Sequence, residues 1–378
     1  MKIMILRIEE IQNACGKILA AVDSNTLSVL TETLQLKTAE KNLYISVTNR
    51  EYFAQVKIPM AENIDFHATV NANLFLKLIS QITTDTIEIN VVDTSLILKG
   101  NGTYKLPLIF DGEGLLELPE IEIMNPTVNF EIDSNVLLSM LQFNSKELTK
   151  GIISKPIQKL YYLDESGCVT FTTGACVNSF TLAQPVRLLL NDRLVKLFKL
   201  FKGEKVNFTL GYDAISNEII QTKVRFETSD IIITAILSCD DSMLNQFPTR
   251  AVRGRANATY PYSVNINREQ LIQTISRLLL FSSANSAKDV IKPFAVFEFK
   301  KDSVVVYDTK KENKEEVYYT NSTSGVEDSY SALLDLNDVK NTLETCTEQY
   351  VTIHFGDGAA IVLSRGNIKN VIPECNLN

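Results

Sequence analysis

The chain carries few residues with the chemistry of a catalyst. Its two histidines, His67 and His354, sit in separate strand-like segments with no second ligand at metal-binding spacing. Six cysteines, at 15, 168, 176, 239, 346 and 375, form no C-x-x-C pair, so neither a zinc knuckle nor a disulfide framework is indicated. Cys168 and Cys176 flank a strand and read as small buried hydrophobes. The carboxylate pairs Glu9–Glu10, Asp240–Asp241 and Glu315–Glu316 read as solvated surface. Gly112–Gly114 is a turn that lacks the strand-to-helix setting of a phosphate loop. No catalytic residue, metal or cofactor is expected.

The sequence does carry cations at helical spacing. Arg193, Lys196, Lys199 and Lys202 fall on one side of a segment whose apolar positions are Leu194, Leu197 and Phe198. Such a row attracts a polyanion, or else it simply solvates a helix face. The net charge of −8, from 37 Lys and Arg against 45 Asp and Glu, argues against a basic coat for nucleic acid. It leaves room for positive charge gathered on one face.

The elements that position these residues belong to a soluble, globular chain. It has 378 residues, room for two or three domains, with 45% apolar and 22% charged residues. The longest apolar runs, such as Ile231–Leu237, are too short to cross a bilayer, and Glu9 and Glu10 interrupt the early apolar stretch, so no signal peptide is expected. A cytoplasmic protein with reduced thiols fits this pattern.

One pattern recurs three times: a short strand and amphipathic helix, several strands, a second helix, then more strands. The first helices are expected over Ile8–Val22, Ser134–Asn144 and Asn267–Phe281, their starts about a third of the chain apart. The second helices are expected from Asn71, Asn191 and Asn337, each a polar cap. Apolar stripes follow at Ile8, Ile11, Cys15, Ile18 and Leu19, at Leu74, Leu78 and Ile79, at Leu271, Ile275, Leu278 and Leu279, and at Val339 and Leu343. Short β-branched runs, among them Asn42–Asn49, Ile87–Val91, Val169–Thr173 and Val351–Phe355, supply strands. The expected fold is α+β: three domains, 1–125, 126–254 and 255–378, each with two helices packed on antiparallel sheet.

With the repeat in view, Thr26–Leu36 (TLSVLTETLQL), Val70–Ile82, Gln246–Val252 (QFPTRAV) and Asn370–Pro373 (NVIP) give the chain a resemblance to the bacterial sliding clamp, the DNA polymerase III beta subunit. The resemblance covers the full length. It implies a head-to-tail homodimeric ring around duplex DNA, with helices inside, sheets outside and no chemistry of its own. Topological linkage needs only weak, counterion-linked attraction, so a net acidic ring is compatible with encircling DNA.

By position, the resemblance implies that Lys199, with Arg193, Lys196 and Lys202, faces DNA, and that Lys77, Lys150, Lys155 and Arg250 join them. Ser24 and Ser80 stand where the family has arginines. A pocket for short peptides of polymerase and clamp-loader ATPase would be lined by Ile157, the Gly174–Val177 turn with Cys176, Pro248, Val252, Ile372 and Pro373. The ring joint would bring Leu280 and Phe281 against an edge strand with Tyr104 and Leu106. The competing expectation from another class is a β-rich scaffold that never meets DNA.

Overall fold

The computed structural model describes residues 3–22, 28–149, 153–214, 220–237, 241–284, 293–320 and 324–375. The repeat is explicit in the element order. The first copy runs β1 (Met4–Arg7), α1 (Ile8–Leu19), a single turn α2 (Val29–Glu32), β2 (Thr33–Ala39), β3 (Asn42–Thr48), β4 (Tyr52–Pro59), β5 (His67–Asn71), α3 (Ala72–Gln81), β6 (Thr86–Val92), β7 (Ser95–Lys99) and β8 (Thr103–Pro107). A small hairpin, β9 (Phe110–Asp111) and β10 (Gly114–Leu115), leads out of it.

The second copy has β11 (Pro126–Asp133), α4 (Ser134–Ser139), α5 (Ser145–Leu148), β12 (Leu160–Asp164), β13 (Gly167–Phe171), β14 (Ala175–Ser179), β15 (Arg187–Asn191), α6 (Asp192–Leu197), β16 (Lys205–Ala214), β17 (Ile220–Glu227) and β18 (Ile231–Leu237). Two short helices follow, α7 (Asp241–Gln246) and α8 (Thr249–Ala256). The third copy has β19 (Tyr262–Asn267), α9 (Arg268–Ala284), β20 (Phe294–Phe299), β21 (Ser303–Asp308), β22 (Lys314–Tyr318), β23 (Tyr330–Asp335), α10 (Leu336–Glu344), β24 (Tyr350–Phe355), β25 (Ala360–Arg365) and β26 (Ile368–Pro373).

Each copy folds its eight strands into two four-stranded halves by one rule. The first strand joins the last three, and the fifth joins the second, third and fourth. The sheets are therefore β1-β6-β7-β8, β11-β16-β17-β18-β4-β3-β2-β5, β15-β12-β13-β14-β26-β25-β24-β19 and β22-β21-β20-β23. The two eight-stranded sheets arise because β18 pairs antiparallel with β4 (Ile233 opposite Ala54) and β14 with β26 (Cys176 opposite Asn370). In both, the fourth strand of one copy meets the eighth of the next.

Residues 1–135 with 196–238 form one compact unit, and 136–195 with 239–378 form another. The expected segments 1–125 and 255–378 each lie within a single unit, while residues 126–254 contribute to both.

The helices differ in detail from the expectation. In α1 the buried stripe is Ile11, Ala14, Cys15 and Ile18, with Leu19 exposed; in α3 it is Ala72, Phe75, Leu76 and Ile79, with Leu74 exposed. Small residues and Phe75 fill the stripe where leucines were expected, because α1 and α3 lie close together. Gln12 fixes that closeness by donating to the carbonyls of Ile79 and Ile82 at 2.9 and 2.8 Å. Asn71 caps α3 by accepting the Leu74 N–H, and Asn191 accepts that of Leu194, each contact worth about 1 kcal/mol. In the third copy the cap is Asp335, which accepts the Asn337 N–H, so Asn337 lies inside the helix.

The expected helix Ser134–Asn144 begins as α4 and continues as a π turn over Met140–Asn144. Asn144, fully buried, donates to Thr170 Oγ1 at 3.2 Å and accepts from Asn178 Nδ2 at 3.2 Å, tying this helix to the β13–β14 hairpin.

Candidate functional site

The best-formed apolar surface lies on one face of the sheet containing β12, β13, β14, β25 and β26. Alternation along these strands aims Tyr162, Val169, Ala175, Val177, Val362 and Val371 to that face, where they meet Leu244 and Phe247 of the α7–α8 segment. The Phe247 ring packs against Tyr162 (centroids 5.2 Å apart) and edge-on to Phe171 (5.0 Å). Around this buried centre stand partly exposed Ile157, Leu160, Phe171, Met243, Val252 and Tyr260. Arg253 holds α8 in place through the Asp164 carboxylate, which raises its affinity for its proton even as burial opposes it. Arg255 pairs with Asp357, whose carboxyl, despite burial, is held below its ordinary range by the N–H groups of Ala359 and Ala360 and by Arg255.

Of the expected pocket residues, Ile157, Val177 and Val252 belong to this cluster. Pro248 is half-buried at the start of α8, and a Cβ placed on Gly174 would lie 3.7 Å from the Pro373 ring. A Cβ on Gly174 would come within 2.5 Å of the Val371 carbonyl, so only glycine fits this turn. Two expectations need correction. Cys176 is wholly buried on the opposite face, among the Asn144 contacts, and Ile372, 3% exposed, packs in the core of the third copy. A strand sends successive side chains to opposite faces, so a one-residue offset exchanges the pocket for the core behind it. The residues of this cluster that were missed are Tyr162, Phe171, Phe247 and Val371; Phe247 lay inside the block QFPTRAV, and Val371 stands opposite Ala175 of β14.

Arg193, Lys196, Lys199 and Lys202 are exposed along α6 and the turn after it, while Leu194, Val195, Leu197 and Phe198 are buried. Lys199 and Leu200 border a groove of about 670 Å³ whose other wall is the exposed side of α1: Asn13, Gly16, Lys17, Leu19 and Ala20. Lys17 is turned aside there, donating to Asp230 at 2.6 Å. Lys77 is exposed on α3 and its carbonyl accepts from Ser80 Oγ. Lys155 and Arg250 are exposed; Lys150 and Ser24 lie outside the described residues.

At the expected joint, Tyr104 is half-buried on β8, and Leu280 and Phe281 are exposed in the last turns of α9. Leu106 is corrected: its side chain is 2% exposed within its own domain.

His67 Nε2 lies 3.0 Å from the Gln35 amide and His354 Nε2 2.9 Å from Ser364 Oγ, and burial lowers the basicity of both rings. Among the described residues no three His, Cys, Asp or Glu side chains are grouped to hold a metal, and no helix is long and apolar enough to cross a membrane.

A chain of three such copies, with helices paired across sheets that join copy to copy, has the architecture of a DNA clamp. Residues 1–113 match the family described as DNA polymerase III beta subunit, N-terminal domain. It is 23% identical over 185 residues to a Helicobacter pylori beta sliding clamp, covering 43% of this chain and 48% of that one; the match thus spans about half of the curated relative's length. The fold likeness covers everything. The Pseudomonas aeruginosa DNA polymerase III beta subunit superposes with a TM-score of 0.80 at 14% identity over 100% of both chains. A Helicobacter pylori beta clamp bound to a DNA ligase peptide gives 0.73 at 15% identity over 99% of this chain and 100% of that one.

Proposed function

We propose that two copies of this chain close into a ring around duplex DNA and act as a sliding clamp, a processivity factor without enzymatic activity that works in the cytoplasm. The observation that carries this reading is the joint between copies. The fourth strand of one copy pairs with the eighth of the next twice within the chain, and the same rule leaves β22, a fourth strand, and β8, an eighth strand, as the outer edges of their sheets. Two chains satisfy both edges by exchanging them, β22 of one against β8 of the other, with Leu280, Phe281 and Tyr104 beside the seam. The domains are then 1–125, 126–254 and 255–378, six around the ring.

Arg193, Lys196, Lys199 and Lys202, with Lys77, Lys150, Lys155 and Arg250, face the duplex and contact phosphates without reading bases. A few such contacts centre the DNA, and the surplus of carboxylates on the remaining surface keeps other nucleic acid away. The apolar cluster around Phe247, with Ile157, Gly174, Val177, Pro248, Val252 and Pro373, receives short peptides of a DNA polymerase and a clamp-loader ATPase. A preformed apolar site suits a short peptide, which has little binding energy to spend on ordering its target. The ligase-peptide complex of the Helicobacter pylori clamp supports this assignment by analogy.

The test is topological. Protein loaded by a partner ATPase onto a closed circular duplex stays bound in high salt and is released when the circle is cut. Release in high salt from the uncut circle, or equal retention on linear DNA, overturns the reading.

A further inference from the structure

We propose that the outer edge of β1 is a docking site for an extended, apolar and basic segment of a partner protein, added to the sheet as a further strand. The repeat provides its own control. β1, β11 and β19 occupy one position in the three copies, and each runs directly into the first helix, so Arg7, Asp133 and Asn267 correspond. Counting back in twos along the outward face, Ile5 corresponds to Glu131 and Asn265, and Ile3 to Asn129 and Ser263. The inward residues are apolar in all three: Met4 and Leu6, Phe130 and Ile132, Val264 and Ile266, all buried. Only the first copy is apolar outward as well.

The polar residues of β11 are engaged with the neighbouring strand, Glu131 with Lys205 and Asn129 with Thr209. Ile5 and Ile3 are instead 62% and 41% exposed. Ile5 stands opposite Glu88, whose carboxylate turns away to Lys99 at 3.1 Å. β1 ends its sheet, and among the described residues nothing pairs with its outer side.

Beside this edge runs a groove of about 520 Å³ between Ile3, Ile5, Arg7 and the segment that follows β4, with Pro59, Met60 and Ile64 as its apolar floor. Glu10, Glu62 and Arg7 are the charges on its rim, and among the described residues no ion pair holds any of the three. A free strand edge accepts an extended backbone, and alternate side chains of that backbone then fall on one face. The isoleucines and the groove floor select apolar residues at those positions. The two carboxylates against one guanidinium select Lys or Arg between them. β1 and β8 are opposite ends of the same sheet, so occupancy of β1 leaves the β8 joint unobstructed.

The experiment uses the full-length chain and a fluorescently labelled synthetic peptide of alternating valine and lysine, read by anisotropy and by amide hydrogen exchange. Saturable binding that slows exchange at β1, and that weakens about tenfold or more in Ile5→Glu and in the Glu10→Lys, Glu62→Lys pair, is the expected result. Ile5 points outward, so its variant keeps the parent melting temperature; if it does not, Ile3→Glu serves in its place. Equal affinity for the same peptide with a central proline, or unchanged affinity in Ile5→Glu, overturns the proposal. So does a wild-type mass above that of Ile5→Glu when the peptide fails to bind, which would assign the edge to a second copy of the chain. Retention on closed circular DNA by Ile5→Glu is read separately, so a failure of the clamp reading and a failure of this one are told apart.

Discussion

Arg253 grips Asp164 with two parallel bonds, Nη1 to Oδ2 at 2.5 Å and Nη2 to Oδ1 at 2.7 Å. The pair pins α8 to the β12–β13 turn and so holds one wall of the apolar cluster over its sheet. A guanidinium is required, because a lysine ammonium cannot match both carboxylate oxygens. Arg253→Ala leaves the partly buried Asp164 unpaired and is expected to cost about 2 kcal/mol of stability. Titration with a short peptide of glutamine and bulky apolar residues should show the accompanying loss of affinity.

The two faces of β14 provide a test of the proposed peptide site. Val177→Asp places a charge in the apolar cluster and is expected to weaken that peptide by about tenfold or more. Cys176→Ser acts on the other face beside Asn144 and should shift the melting temperature while leaving peptide affinity at the parent value. Isothermal titration of both variants checks the assignment.

Lys199 and Lys202 are exposed cations, and among the described residues no ion pair holds either. If each neutralises one phosphate, removing both lowers the slope of log affinity against log salt by about 2. Binding of Lys199→Ala, Lys202→Ala to linear duplex across a salt series gives that slope, and an unchanged slope places these residues away from DNA.

A proline at Glu316 of β22, or at Lys105 of β8, removes a backbone donor from an exposed edge while sparing the interior of each sheet. The expected solution mass falls from twice the chain to the single-chain 42.3 kDa. Sedimentation equilibrium, with circular dichroism as the control for folding, measures it.

Burial pushes the Glu374 carboxyl above its ordinary range, although the Tyr330 hydroxyl donates to it at 2.8 Å and partly offsets this. The folded state therefore holds its proton at a pH where the unfolded chain has released it. Stability is fully present below the unfolded pKa, about 4.3, and declines as pH rises through the folded value. Glu374→Gln keeps a partner for Tyr330, removes the charge, and should be more stable than the parent at neutral pH. Melting temperatures from pH 4 to 8 should show a flatter profile for the variant.

The repeat was legible because strand and helix periods differ, and the second helix of each copy announces itself by a polar cap and a 3.6-residue stripe. Leu271, Ile275 and Leu278 read correctly because α9 offers its sheet one clear row of large apolar residues. α1 and α3 read less well. Their contact rests on Ala14, Ala72 and the Gln12 amide, and pattern reading gives such residues little weight beside Leu19 and Leu74. The apolar cluster around Phe247 was legible in outline but off by one residue at Cys176 and Ile372, since both faces of those strands are apolar and alternation alone cannot say which one the cluster occupies. The corresponding edges β4, β14 and β22 were invisible, because strand pairing between copies leaves no mark on composition.

In the proposed ring, two of the three seams in each chain are made between copies already joined by peptide bonds, so their partners are always at hand. The third would answer to mass action. Dilution would then act on that seam alone, and the amount of protein a cell makes would set how many rings are closed without touching how well any single chain is folded.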